Sequence, residues 1–516
     1  MQTNIQNGNS KTATSRLSET QKAVWTYCHV HRGTPAYHIC MRFGPFPDLD
    51  IQRLKAATEL AVNNHPIVKA RLTTDNDGEP LMVRHDEEPP FVETIVTTDN
   101  EEGKTLNRFC VPLDYEGGRL YRLLILKTES GVSLLANFHH TVFDGISMNI
   151  LLGDITDAYA GMPLQPETDD LFDVARKESE RRKTADYEAA RQWHETTFPK
   201  TALRSMPPAD KYDASEPMPT FEIFPTSITT EHWDAICQKA GQSANIVSLT
   251  AFALFLGCFT GEDEVRFSTV FHGRHGKSMQ RTVGMLVQTI PVAAQWNGET
   301  RVSDLMHDIR WQQARCMVND IHPFSEVRKL CGGFGEVNFI YQGNTQPQQQ
   351  FCGYPLKKKF IMPNMSGSAL AMELWFECGR LDLYVEYNAA IYSREMVVAM
   401  AKCFEHVLCN IAEAETVGDI RFADNETMAL LETFNGTKNA PCSPKNIIEL
   451  FRHWAKVTPD AIAVCDERNR LSYAELNERS DRLAALLKSS GAGRGSVVAL
   501  LLPRDVSMPL CTLAVL

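Results

Sequence analysis

Asn137-Phe138-His139-His140-Thr141-Val142-Phe143-Asp144-Gly145-Ile146-Ser147 is the stretch on which the reading of this chain turns. It ends an alternating apolar run, 132–138, and precedes helical spacing over 146–158, so a strand is expected to feed a short loop and then a helix. Adjacent side chains at a strand end point to opposite sides. One of His139 and His140 is therefore expected to face a cavity and the other the protein body. Asp144, just ahead of the helical pattern, can cap that helix or fix the loop through a buried ion pair. Gly145 permits a tight turn or a close backbone approach by a substrate. A turn that merely houses two structural histidines would use the same residues. A metal centre fits the pattern less well. Two neighbouring imidazoles do not readily share one ion, and no third ligand at HExxH spacing accompanies them, so no metal is expected.

On the N-terminal side, 119–127 and 132–138 are separated by Glu129, Ser130 and Gly131 and read as a hairpin leading into the histidines. Before it comes helix, strand, helix, with a helix capped by Ser18 over 18–24 and another over 51–63. On the C-terminal side, 173–196 is charged and helical, and 206–219, rich in Pro, Asp and Ser, reads as a connector. A second α/β unit follows, with helices over 229–240, 246–259 and 393–414 and strands over 264–271, 288–294, 336–341 and 381–387. No short-period repeat is evident.

The 516 residues suggest about three folded units at roughly 100–200 residues each, and 43% hydrophobic content excludes a disordered chain. A net charge of −12 argues against a nucleic-acid or anionic-membrane binder. Residues 1–16 are polar, without the apolar core of a secretory signal, and are expected to be a flexible tail. The longest nearly apolar run, 246–259, is shorter than the roughly 20 residues a span requires, so no membrane is expected. The 14 cysteines show no CxxC pair and read as reduced core residues of a cytoplasmic protein, without disulfides.

Beyond residue 425 the chain changes character. Asn-Gly, Pro-Cys and Ser-Pro dipeptides over 434–445 read as a linker, followed by helices over 447–458 and 473–489 and strands over 461–465 and 496–502. The apolar helix start at 509–516 stops abruptly, and this last segment reads as part of an unfinished domain.

HHxxxDG at a strand-to-helix loop resembles the signature of the chloramphenicol-acetyltransferase-like superfamily, and specifically the condensation domains of nonribosomal peptide synthetases. Other segments stand in that family's order. Leu17-Ser18-Glu19-Thr20-Gln21-Lys22-Ala23-Val24-Trp25 resembles its opening motif, and Gly273-Arg274 with Val283-Gly284-Met285-Leu286-Val287-Gln288-Thr289 resembles its Gly-Arg and VGxFVNT elements. Val337-Asn338-Phe339-Ile340-Tyr341-Gln342 resembles its Asn-x-x-Tyr-Gln strand. Phe434-Asn435-Gly436-Thr437 resembles its linker, and Leu471-Ser472-Tyr473-Ala474-Glu475-Leu476 resembles the first motif of an adenylation domain. Two segments depart: Asn64-His65-Pro66-Ile67-Val68-Lys69-Ala70-Arg71-Leu72 keeps a trace of RHExLRTxF, and Ile321-His322-Pro323-Phe324-Ser325 keeps only Pro-Phe.

The resemblance implies an α/β fold of two lobes in a V-shaped pseudo-dimer with a tunnel between them, 17–178 and 179–423, then a linker, 424–446, and a truncated adenylation N-terminus, 447–516. It implies amide formation, in which the amine of an aminoacyl thioester on a downstream carrier attacks an acyl thioester on an upstream one. Both would arrive on 4'-phosphopantetheine arms. The implied partners are donor and acceptor peptidyl carrier proteins and the remaining adenylation and carrier domains of a synthetase. A starter domain would take a fatty acyl thioester instead. His140 is the implied proton acceptor, with His139, Asp144 and Gly145 completing the motif, Arg274 pairing with Asp144, and Asn338 supporting near the tunnel. No GxSxG elbow suggests a covalent acyl-enzyme, and 447–516 holds no Gly-, Ser- and Thr-rich phosphate loop, so no ATP site is expected there. Another HHxxxDG acyltransferase, ester-forming or acting on a free amine, and a silent carrier-recruiting module remain alternatives.

Overall fold

The computed structural model describes residues 14–516 apart from 204, 212–218, 335–336, 344–349, 363–366, 378 and 437–445. Contacts separate two compact units, Met1–Asn425 and Glu426–Leu516.

The first half of the larger unit runs β1 (Thr14–Arg16), α1 (Glu19–Val30), β2 (His38–Phe46), α2 (Ile51–Asn64), β3 (Arg71–Thr74), β4 (Pro80–Val83), β5 (Val92–Val96), α3 (Glu102–Phe109), β6 (Tyr121–Thr128), β7 (Gly131–His139), α4 (Gly145–Ala160), α5 (Leu171–Arg181) and α6 (Ala185–Thr197). Ser18 starts α1 through a reciprocal cap: its hydroxyl accepts the Gln21 N–H at 3.2 Å while the Gln21 side chain accepts the Ser18 N–H at 2.9 Å. β6 and β7 form the expected hairpin, and β7 is buried at every residue because it lies in the middle of its sheet. Three expectations need correction. Thr14–Arg16 pairs with β4 and so is not tail, while 1–13 lie outside the described residues. The charged stretch expected as one helix is two, because extended backbone at Thr184 starts α6 afresh. The expected lobe boundary at 178/179 therefore falls inside α5, whose Phe172 and Ala175 belong to the first core.

The second half contains β8 (Pro219–Thr229), α7 (Thr230–Ala240), α8 (Ala244–Thr260), β9 (Glu264–Phe271), β10 (Gln288–Gln295), α9 (Val302–Val318), α10 (Phe324–Cys331), β11 (Val337–Gly343), β12 (Gln350–Phe351), β13 (Tyr354–Pro355), β14 (Lys358–Phe360), β15 (Leu370–Glu377), β16 (Arg380–Asn388) and α11 (Arg394–Asn410). Its six-stranded sheet has the order β10-β9-β11-β15-β16-β8. Phe267, Phe339, Met372, Leu383 and Val385 pack with α8 and α11 in the second core. α8 is buried from Ile246 to Gly257, which explains its unbroken apolar sequence. Its hydroxyls are satisfied within the helix, Ser248 donating to Ala244 O at 2.6 Å and Thr250 to Ile246 O at 2.8 Å. Among the described residues no single helix is long and apolar enough to cross a membrane; α7 and α8 pass that test only as a pair bent by 85°.

The halves exchange segments. β14 pairs with β2 and extends the first sheet to β14-β2-β7-β6-β5. Phe351, and Val283, Met285 and Leu286 from the connection between β9 and β10, are buried in the first core.

The smaller unit begins within the first turn of α12 (Asn425–Phe434) and holds α13 (Ile447–Val457), the hairpin β17 (Ile462–Cys465) and β18 (Arg470–Ser472), α14 (Tyr473–Ser489) and α15 (Ser507–Val515). Ser472 and Glu475 form a capping box at α14. The expected linker begins with helix α12, whose Met428, Leu430 and Leu431 lie ahead of the Asn-Gly pair that stops it. The strand expected over 496–502 is not formed. Val497 and Leu501 are 98% and 99% exposed, and among the described residues no strand pairs with the segment to give it a ladder.

Candidate active site

β7 delivers the two histidines to opposite environments. His139 is 1% exposed, its Nδ1 lies 2.8 Å from Thr141 Oγ1 and its Nε2 lies 3.6 Å from Cys28 Sγ. Burial drives its pKa well below the ordinary imidazole value, with His38 and His140 adding to the shift, so the ring is neutral near pH 7. His140 is only part-buried, and among the described residues no side chain hydrogen-bonds its ring, which has its own backbone and that of Phe143 beside it. Burial also lowers the His140 pKa, opposed by the Asp144 charge, so the ring is neutral near pH 7 and able to accept a proton.

Asp144 performs both jobs expected of it. Its Oδ1 accepts the Ser147 N–H at 2.8 Å as the N-cap of α4, and Arg274 grips the carboxylate with two bonds of 2.9 Å. Oδ2 also accepts the Leu286 N–H at 3.1 Å. Burial pushes this carboxyl up, but the Arg274 guanidinium outweighs it and holds the pKa below the ordinary value. Arg274 is itself 7% exposed and donates to Thr282 O and Ser147 Oγ, so the pair and its backbone partners are dry and satisfied. Gly273 lets the two ends of this connection touch: with φ +62°, a Cβ there would stand 1.8 Å from Leu286 O.

Gly145 differs from the tight-turn expectation. It is the first residue of α4, it is absent from the left-handed glycines, and a Cβ on it would meet nothing within 4 Å. Its surroundings are open. Asn338 lies on β11, where Ser268 contacts its Oδ1 and its Nδ2 donates to Ser368 Oγ at 2.5 Å; these partners are second-lobe residues, and none belongs to the histidine loop.

The family pattern described as Condensation domain matches residues 11–431, more than half of the chain. The chain belongs to the condensation-domain family. The pattern described as AMP-binding enzyme follows over 451–516. Gramicidin S synthase 2 of Brevibacillus brevis is 24% identical over 497 residues, covering 91% of this chain and 11% of that protein. The chain thus spans about a tenth of the length of this curated relative. The first condensation domain of the CDA synthetase superposes with a TM-score of 0.64 at 19% identity, over 80% of this chain and 99% of that one. A starter condensation domain of rhizomide synthetase does so with 0.65 at 15% identity, over 80% and 100%. At such identities these likenesses establish the fold, two α/β lobes with open sheets.

Within this condensation domain, two features go beyond what the motifs announced. Gln21 of the opening motif is fully buried and its Nε2 donates to Thr141 O at 2.6 Å, so α1 supports the histidine loop directly. His65, in the segment that departs from the family pattern, is also fully buried, with Nε2 2.9 Å from Asp154 Oδ2 and Nδ1 2.7 Å from Glu167 Oε1. Arg281 also pairs with Asp154, and Glu167 accepts the Val283 N–H at 2.8 Å. This buried group therefore ties α2 and α4 to the connection that carries Arg274. A His-Pro step after a helix was the only sequence sign of it.

Proposed function

We propose that this condensation domain is an amide-forming acyltransferase of nonribosomal peptide synthesis, acting in the cytoplasm. The α-amine of an aminoacyl thioester, held on the phosphopantetheine arm of an acceptor carrier protein, attacks the acyl thioester of a donor carrier. A fatty acyl thioester takes the donor place in a starter domain. The new C–N bond forms, the C–S bond breaks, and the donor arm leaves as its thiol. A free α-amine has a pKa of about 7.7–8.0, so a useful fraction is unprotonated near neutrality and a strong base is not required before attack.

His140 is the group placed to orient the amine and accept its proton as the tetrahedral intermediate collapses. His139 holds the loop, Asp144 with Arg274 fixes its geometry, Gly145 leaves room beside it, and Asn338 is a supporting residue on the second sheet. The observation that carries this reading is the contrast between the neighbours. His139 has both ring nitrogens occupied by side chains, whereas His140 is part-exposed and neutral, with no side chain bonded to its ring. A silent recruiting module has no need of such a ring.

The test is mass spectrometry of donor and acceptor carriers, loaded separately and mixed with the protein. Wild type should move the acyl group onto the acceptor amine, and His140→Ala should slow transfer by about 10²-fold or more while keeping its circular dichroism. An unchanged rate in His140→Ala would remove the mechanism.

A further inference from the structure

We propose that Tyr37 is a positioning residue for His140, holding the imidazole by an edge-on ring contact and a backbone hydrogen bond and linking that position to the second lobe. The inference rests on the reading of His140 given above. No side chain among the described residues hydrogen-bonds the imidazole, whose only polar neighbours for its nitrogens are its own backbone and that of Phe143, so packing has a large share in orienting it. Among those residues its one aromatic neighbour is Tyr37, at 6.4 Å between ring centroids and 75° between planes. The Tyr37 carbonyl accepts the His140 N–H at 2.8 Å, so the same residue fixes both backbone and ring.

The backbone of Tyr37 is unusual. Its φ is +59°, a left-handed value shared by only one other non-glycine residue among those described, Cys352. A bulky residue persists there only when its surroundings over-determine it. Those surroundings are visible. The next residue, His38, pairs with His139 across β2 and β7, and its Nε2 accepts the Leu113 N–H at 2.9 Å. On the other side the Tyr37 ring packs at 5.2 Å and 72° against Tyr27. The Tyr27 hydroxyl lies against Gly367, where a Cβ would come within 2.1 Å of it, and the Gly367 N–H donates to Glu386 on β16 at 2.7 Å. A chain of contacts thus runs from His140 through Tyr37 and Tyr27 to a strand of the second lobe. The titratable groups around it are Asp144, paired with Arg274, neutral His139, Cys28, Tyr27 and Glu386. Burial, then the neighbouring Tyr27, Cys28 and Glu386, push the Tyr37 phenol up, so it stays protonated and acts through shape.

The test compares wild type, Tyr37→Phe and Tyr37→Leu by NMR titration of the labelled His140 ring and by carrier-loaded condensation kinetics. Tyr37→Phe keeps the ring and should match wild type within about twofold. Tyr37→Leu removes it, so the His140 midpoint should rise toward about 6.5 and kcat should fall by about tenfold or more with the acceptor KM little changed. An unmoved midpoint in Tyr37→Leu, or a rate loss carried by KM alone, overturns the assignment. If Tyr37→Leu does not fold, Tyr37→Met is read in the same way. A wild-type protein without condensation activity would sink the proposed function but not the titration result, so the two failures are distinguishable.

Discussion

At His140 the direction of the pKa shift sets the expected pH dependence. Burial lowers the pKa below the ordinary 6.5, with Asp144 pulling the other way, so the imidazole stays neutral through pH 7. His140 therefore adds no acid limb of its own above about pH 6.5: between about pH 7.5 and 6.5 the condensation rate should fall only with the unprotonated fraction of the acceptor amine, whose pKa is about 7.7–8.0, and below that the protonating ring should steepen the fall. A pH–rate profile under single-turnover conditions checks this, and a fall steeper than a single protonation above pH 7 would contradict it. Asp144 behaves differently because its folded pKa is depressed by Arg274. Its stabilisation is present above the unfolded value, about 3.9, and is lost only as pH falls through the folded one, so the pair is constant across the working range. Breaking it by Asp144→Ala strands a buried guanidinium and should cost about 3–5 kcal/mol, visible as a lower melting temperature as well as a lower rate. Gly145→Ala separates the two effects. A methyl there meets no protein atom, so melting should be unchanged, whereas a substrate passing close to the start of α4 should react at least about tenfold more slowly.

At the scale of elements, local pattern determined most of what could be read in the sequence. α14 was legible to the residue because Ser472 and Glu475 announce its start, and α8 because an uninterrupted apolar run can only be buried. The strand-loop-helix around the histidines was legible for the same reason, while the Asp144–Arg274 pairing required the family resemblance, since spacing carries no information about partners 130 residues apart. The exchange of β14 was not legible. Three residues, Lys358–Phe360, are too few to show a period, and nothing in them states which sheet they join. The His65 group was hidden similarly, its carboxylates lying about 90 and 100 residues away. Burial opposes the charge on His65, but Asp154 and Glu167 outweigh it and raise its pKa. Its stabilisation is therefore complete below about 6.5 and is lost as pH rises through the folded value. The melting temperature of wild type should fall on that alkaline side, and His65→Gln should flatten the dependence; parallel curves for the two proteins would refute it.

Across the whole of Met1–Asn425, the exchanged segments make the two lobes one folding problem. Val283, Leu286, Met285 and Phe351 are at most 6% exposed and lie in the core of the first lobe, although all four come from the second half of the chain. Burying an apolar side chain of this size contributes about 1.5–3 kcal/mol, so the four together supply roughly 6–12 kcal/mol. That is comparable with the entire net stability of an ordinary domain, about 5–15 kcal/mol. A fragment ending at the break between α5 and α6 would lose those side chains, the β14 edge of its sheet and the Arg274 partner of Asp144. It should fail to reach a native state, with poorly dispersed NMR spectra and no cooperative melting, whereas residues 14–425 should melt in a single transition. A first-lobe fragment that melted cooperatively would show that the exchanged segments decorate the core rather than complete it. The geometry argues for completion, because the same connection that fills the core also carries the arginine that holds the histidine loop in place.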